Sequence, residues 1–226
     1  MINPATRGLP TSEESQDNIA APVTFLFTDI EGSTEEWEEH PERMAKAVAG
    51  HDALLRGAVE QSRGRVVKTS GDGIVAVFAD PADGVAAAVA TQLSLTARAL
   101  TAGIPLSVRC GLHTGEAQRH GDDYLGTTLN RAARVMALAY GGQGLLSQAV
   151  ADRLVGRLQQ GIALRELGEV RLKGLAGTER VYQLLHPRPR KAFPALRSLE
   201  ATPNICRSSS RCLSAASAKS RISRLS

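Results

Sequence analysis

Aromatic side chains are scarce here: one Trp, three Tyr and four Phe among 226 residues. That scarcity argues against a binder of single-stranded nucleic acid, which stacks bases on aromatic platforms. Cysteine is equally sparse. Cys110, Cys206 and Cys212 form neither a disulfide framework nor a zinc-ligand spacing. No apolar run is long enough to span a bilayer. The opening MINPATRGLPTSEESQDN lacks the apolar core of a signal peptide. These absences point to a cytoplasmic protein with no membrane partner, and residues 1–20 read as a disordered leader.

Net charge is +4, yet its distribution reverses that impression. From Pro187 onward nine Lys or Arg face one acid, Glu200, which leaves 18 bases against 22 acids in the body. The body is therefore acidic and the basic character belongs to the tail, so the folded part has no affinity for a polyanion to explain.

What the chain does have is a pair of related segments. FTDIEGST (Phe27 to Thr34) follows a β-rich apolar run, and KTSGDG (Lys68 to Gly73) spans a strand and its turn. Each delivers one aspartate, Asp29 and Asp72, to a bend beside glycine. Two such carboxylates suit a pair of Mg²⁺ or Mn²⁺ ions that leave coordination positions for nucleotide phosphates. The plainer reading of either aspartate alone is a turn former. The amides of Gly32, Ser33 and Thr34 open a helix, with Ser33 or Thr34 as its expected cap, and offer an anion cradle.

Periodicity predicts strands at Val23–Thr28, Arg65–Thr69, Ile74–Ala79, Leu106–Glu116, Leu145–Leu146, Ala163–Leu172 and Arg180–Leu185. Helices are expected near Glu42–Gln61, Pro81–Thr101, Thr127–Tyr140 and Gln148–Leu158, with a polar loop through Asp122. This order implies an α/β (α+β) domain with a ferredoxin-like core, a mostly antiparallel sheet and helices on one face.

A third segment, Asp123-Tyr124-Leu125-Gly126-Thr127-Thr128-Leu129-Asn130-Arg131-Ala132-Ala133-Arg134, places Asn130 and Arg134 one helical turn apart on one face. An amide and a guanidinium so placed suit a ribose and a phosphate. On its own the segment reads as a solvated helix.

In this order the three segments resemble the class III adenylate/guanylate cyclase catalytic domain, over Ala21 to His186. The resemblance implies the nucleotidyl cyclase fold and two divalent ions per site, held by Asp29, Asp72 and the backbone carbonyl of Ile30. It implies that Lys68 and Asp123 read the purine edge, that Asn130 orients the ribose, and that Arg134 neutralises the α-phosphoryl group. A lysine donor beside a carboxylate acceptor matches adenine and mismatches guanine, so ATP is the expected substrate and 3′,5′-cyclic AMP with pyrophosphate the expected products. The family pattern draws metal and nucleotide contacts from different chains, which implies a head-to-tail homodimer with composite sites. The competing readings are a guanylate cyclase and a catalytically silent nucleotide-binding domain. A diguanylate cyclase is excluded, because the hairpin turn reads SGDG.

After His186 the composition turns Ser- and Arg-rich, and residues 187–226 read as a disordered basic tail. Its first part resembles the linker that precedes a regulatory ATPase module in multidomain relatives. Its last part, Cys206 to Ser223, can be recoded in a neighbouring frame to resemble the entrance of such a module. The tail is thus read as an out-of-frame truncation product.

Overall fold

The computed structural model describes residues 21–95, 103–187 and 192–196, together with the backbone of 212–214. The expectation for residues 1–20, and nearly all of those for the tail, lie outside the described residues.

An eight-stranded sheet organises the body, in the order β10-β8-β9-β7-β4-β1-β3-β2. Its centre is β1 (Val23–Ile30), flanked antiparallel by β3 (Gly73–Phe78) and β4 (Val108–Gly115). Side chains of β1 alternate across the sheet, and both faces are covered. Leu26 faces α2 (Pro41–Gln61) and α3 (Pro81–Ser94) with Met44, Leu55, Ala88 and Phe78. Phe25 and Phe27 face the opposite side with Val75, Val77 and Ala132 of α4 (Thr127–Ala137). The helices therefore cover both faces of the sheet, whereas the sequence implied a single face. A strand buried on both sides reads as a continuous apolar run, VTFLF, and does not say which helix covers which side.

The remaining elements follow local rules. Asp80 caps α3 by accepting the Ala82 N–H at 2.9 Å, with Pro81 at the first helical position. Pro41 starts α2 and breaks it from α1 (Ser33–Glu39) at His40, whose φ of −139° is not helical. Strand β2 (Arg65–Ser70) pairs with β3 through a two-residue turn, Ser70 opposite Gly73. Beyond β4 the chain makes a small hairpin, β5 (Gln118–His120) with β6 (Asp123–Leu125). It crosses through α4 to β7 (Gly144–Ser147), the parallel neighbour of β4. It closes with α5 (Gln148–Arg153), β8 (Ala163–Arg171) and β9 (Thr178–Leu185). β10 (Cys212–Ser214) adds three residues to the edge of β8.

Four expectations need correction. The span read as a polar loop through Asp122 contains β5 and the turn that leads into β6. α5 ends at Arg153 rather than Leu158, and the following Gly156 has a φ of 72° that a continuing helix forbids. α4 ends at Ala137, short of Tyr140. α1 has no hydroxyl cap: Gly32, at φ 73°, is its N-cap residue, so Ser33 already lies inside the helix. The last turns expected of α3, up to Thr101, fall in the undescribed residues 96–102.

One close approach fixes α4 on the sheet. A Cβ on Gly111 would lie 2.2 Å from the backbone N of Met136 and 2.4 Å from its Cα. Gly111→Ala should therefore lift the helix and destabilise the fold by about 1–3 kcal/mol, as overpacking does. Gly57 lies inside α2, and a Cβ added there would meet nothing within 4 Å. Gly57→Ala should instead stabilise by about 0.5–1 kcal/mol. Urea unfolding of both variants checks the pair of opposite signs.

Candidate active site

The β1–β3 ladder pairs Phe27 with Val75, and carrying it two residues on sets Asp29 against Gly73. The strands cross so tightly there that a Cβ on Gly73 would lie 1.8 Å from the Thr28 carbonyl oxygen and 3.1 Å from the Asp29 Cα. Thr28 Oγ1 accepts the Ile74 N–H at 3.0 Å and pins the crossing from the other side. Asp72 precedes Gly73 in the turn, after Gly71, whose positive φ of 63° suits the first loop position of a tight hairpin. Glycine at both flanks thus lets the second aspartate reach the first.

The two carboxyl groups are electrostatically coupled. Burial raises the Asp29 carboxyl above its ordinary range, Arg109 pulls it down, and the neighbouring charge of Asp72 pushes it up again. Arg109, opposite Asp29 on β4, grips Asp29 Oδ2 with Nε at 2.7 Å and a terminal nitrogen at 2.6 Å. Asp72 Oδ2 is buried and has no hydrogen-bond partner. An orphaned carboxylate oxygen beside a second carboxylate is an oxygen donor set of the hardness Mg²⁺ and Mn²⁺ require. The Ile30 side chain is buried in the core, so the residue has only its backbone carbonyl to offer. Among the described residues no three His, Cys, Asp or Glu cluster around a point. The residues present fit an ion completed by substrate oxygens.

A second group forms on the α4 side of the sheet. Lys68 Nζ, on β2, lies 3.2 and 3.1 Å from the two oxygens of Asp123 on β6. The Tyr124 N–H, at 2.8 Å, and then Lys68 hold the Asp123 carboxyl below its usual range. Lys68 is 42% and Asp123 47% exposed, so the pair is open to solvent, where such a bridge adds little to stability. Tyr124 anchors the hairpin, its ring edge-to-face with Phe25 at 5.2 Å and the Arg65 guanidinium 5.8 Å from its centroid. Asn130 and Arg134 stand exposed on α4, while Thr128, Ala132 and Val135 form its buried side.

Within one chain, then, Asp29 meets Asp72 and Lys68 meets Asp123. Asp29 is bridged to Arg109 and Asp123 to Lys68, so the two groups make separate ion pairs. Ser33 and Thr34 sit in the first turn of α1, directly after β1 and Gly32.

A model of the adenylate and guanylate cyclase catalytic domain matches residues 15–186. The chain belongs to this cyclase family. An uncharacterized protein of Mycobacterium tuberculosis is 42% identical over 183 residues, 80% of this chain and 62% of its own. The chain thus spans less than two thirds of that relative. The receptor-type adenylate cyclase GRESAG 4.1 of Trypanosoma brucei brucei is 33% identical, over 78% of this chain and 18% of its own length. A solved adenylate cyclase of Trypanosoma brucei, in its monomeric state, superposes with a TM-score of 0.69 at 30% identity, covering 80% of this chain and 97% of that one. The adenylyl cyclase CyaB of P. aeruginosa, at 23% identity and a TM-score of 0.66 over 74% and 95% of the two chains, shares the fold. This is a cyclase catalytic domain of the adenylate/guanylate type, a family that depends on divalent metal. Among the described residues no helix is long and apolar enough to cross a membrane.

Sequence reasoning missed Arg109. The available signal was a lone arginine in VRCGL, between Val108 and Cys110, which are 1% and 0% exposed. A charge set into a buried strand needs a counter-charge, and Asp29 is its cross-strand neighbour. His113, by contrast, is structural: burial pushes its pKa down to about 4, and Nδ1 lies 2.7 Å from Ser147 Oγ.

The raised Asp29 pKa gives a sign. A proton stabilises this corner in acid, and that contribution is lost as pH rises through the raised value. Above it a divalent cation can take the proton's place. Millimolar Mn²⁺ should therefore raise the unfolding midpoint near neutral pH and lose its effect in acid, by ligand linkage. Asp72→Ala should abolish the Mn²⁺ shift at every pH in the same thermal scan.

Proposed function

We propose that this cyclase domain is an adenylate cyclase, converting ATP to 3′,5′-cyclic AMP and pyrophosphate in composite sites of a head-to-tail homodimer. The observation that carries the choice of base is the pairing of Lys68 with Asp123 at 3.1 Å. Side by side, a donor and an acceptor complement adenine, whose N1 accepts and whose 6-amino group donates. Guanine would set its N1–H against the lysine and its O6 against the carboxylate. Leaving such groups mispaired costs more than a missing methylene would.

The remaining roles follow from side-chain chemistry. Asn130 offers an amide to the ribose. Arg134, one turn further along α4, offers a rigid fork of donors to the α-phosphoryl oxygens, where charge builds as the 3′-oxygen closes on phosphorus and pyrophosphate departs. The main-chain amides of Gly32, Ser33 and Thr34 face the β- and γ-phosphates. Asp29, Asp72 and the Ile30 carbonyl would hold two Mg²⁺ or Mn²⁺ ions, which when bound favour ionisation of the 3′-hydroxyl and offset charge on the leaving group. No covalent enzyme intermediate is required, so positioning and electrostatics supply the rate.

The family pattern, which draws metal and nucleotide contacts from different chains, supports a shared site. Asp29 and Asp72 would work with Lys68, Asp123, Asn130 and Arg134 of a second copy. In MnATP assays Arg134→Ala should lower kcat about 10²–10³-fold, the range for losing one transition-state donor. Mixing Arg134→Ala with Asp72→Ala should restore about a quarter of wild-type activity, because half of a random two-fold assembly carries one intact site of two. No recovery on mixing would contradict the shared site. A preference for MnGTP would overturn the roles of Lys68 and Asp123, and product from neither nucleotide would favour a silent binding domain.

A further inference from the structure

Beyond β9 the chain returns to the catalytic body. Ala192–Leu196 lies against the turn that follows α4: Tyr140 Oη donates to the Ala195 carbonyl at 2.9 Å. Leu196 packs on the apolar cluster that contains Val135, Leu138 and Ala139, the underside of the α4 terminus. Pro194, between Phe193 and Ala195, restricts the backbone and lowers the entropy lost on docking.

The same turn is tied on its other side to β1. Gly141 N–H donates to the Glu31 carboxylate at 2.8 Å, and Glu31 N–H donates to the Ser107 carbonyl at 2.9 Å. A Cβ on Gly141 would lie 2.5 Å from Ser107 Cβ and 2.7 Å from the Glu31 carboxylate, so the contact leaves no slack. Gln143 closes the turn by accepting the Tyr140 N–H at 3.0 Å. Three things therefore meet at Tyr140 and Gly141: the turn after α4, with Tyr140 six residues past Arg134, Glu31 just beyond β1 and two residues past Asp29, and the returning segment.

We propose that Ala192–Leu196 is a positioning strap, which fixes the α4 end that carries Arg134 against the β1 end that carries Asp29. Its effect on turnover rests on the cyclase reading above; its docking does not. In a head-to-tail dimer these two ends serve different sites, so one strap sets the geometry of both. Tyr140 and Leu196 act through the turn and touch no substrate. Whatever follows residue 196 in a longer chain would then have a mechanical route to both sites, since pulling the strap frees the turn.

The test uses full-length Tyr140→Phe, Leu196→Ser, the double variant and the conservative Leu196→Met. Each is compared with the unaltered protein by MnATP kinetics, hydrogen exchange over residues 130–143, and thermal unfolding. Expected are a fall in kcat of about threefold or more, since small misplacements of a catalytic group act strongly on rate, and a KM changed by less than about twofold. Exchange over 130–143 speeds up at an unchanged unfolding midpoint, and Leu196→Met behaves as the parent. The double variant is no worse than the weaker single one, because both substitutions undo one docking. Unchanged kcat, with or without faster exchange, overturns the proposal, as do independent, multiplicative losses in the double variant. If even the unaltered protein forms no cyclic product, the cyclase reading fails, and exchange decides the docking alone: faster exchange in the variants supports the strap, and unchanged protection overturns it.

Discussion

Two like charges are held together at the bend of two strands, and the rest of the molecule is arranged around that cost. Asp29 and Asp72 repel each other, and burial adds a desolvation penalty to the repulsion. They stay adjacent because β1 and β3 are central strands crossing where Gly73 leaves no space for a side chain. The Thr28 hydroxyl occupies the Ile74 N–H at that crossing. Arg109 neutralises one of the two carboxylates from the other flanking strand. Such a corner is a poor place for a resting protein and a good one for a divalent cation. A carboxyl perturbed in this way, as Asp29 is, marks a candidate functional site.

The same face of the sheet, the α4 side that Asp29 shares with Phe25 and Phe27, carries Lys68 and Asp123 by different means. Here no charge is forced into the interior. α4 is pressed onto Gly111 by close packing, and its exposed face presents Asn130 and Arg134. The β5–β6 hairpin is pinned through Tyr124, which leaves Asp123 beside Lys68 in solvent. One group, the acids at the β1–β3 corner, is half-buried, and the other, around α4 and the β5–β6 hairpin, is open to solvent. Neither is complete alone, which is the physical reason to look for a second copy of the chain.

The catalytic body was largely legible in the sequence, for reasons that are local. Asp72 lies in the SGDG turn between two glycines, whereas Asp29, expected at a bend, lies inside β1. Asn130 and Arg134 share a helix face because spacing of four always does so. The parts that were not legible depend on tertiary contacts. The three-residue strands of β5 and β6 are too short to show alternation, and they persist because Tyr124 meets Phe25. The placement of α4 on the face opposite α2 and α3 is invisible in a strand that is apolar on both sides. The cap of α1 was misread because a left-handed glycine took the position that a hydroxyl was expected to fill. Arg109 was overlooked because its meaning lies in register, Asp29 opposite it on another strand.

The central claim is that Asp29 and Asp72 jointly hold divalent cations against a nucleotide. Anomalous diffraction from a crystal grown with Mn²⁺ and an unreactive ATP analogue tests it most directly. The account predicts manganese peaks bounded by both carboxylates, with the analogue's base against Lys68 and Asp123 of the partner chain. Manganese bound elsewhere, with the Arg109–Asp29 bridge intact beneath a bound nucleotide, would contradict it.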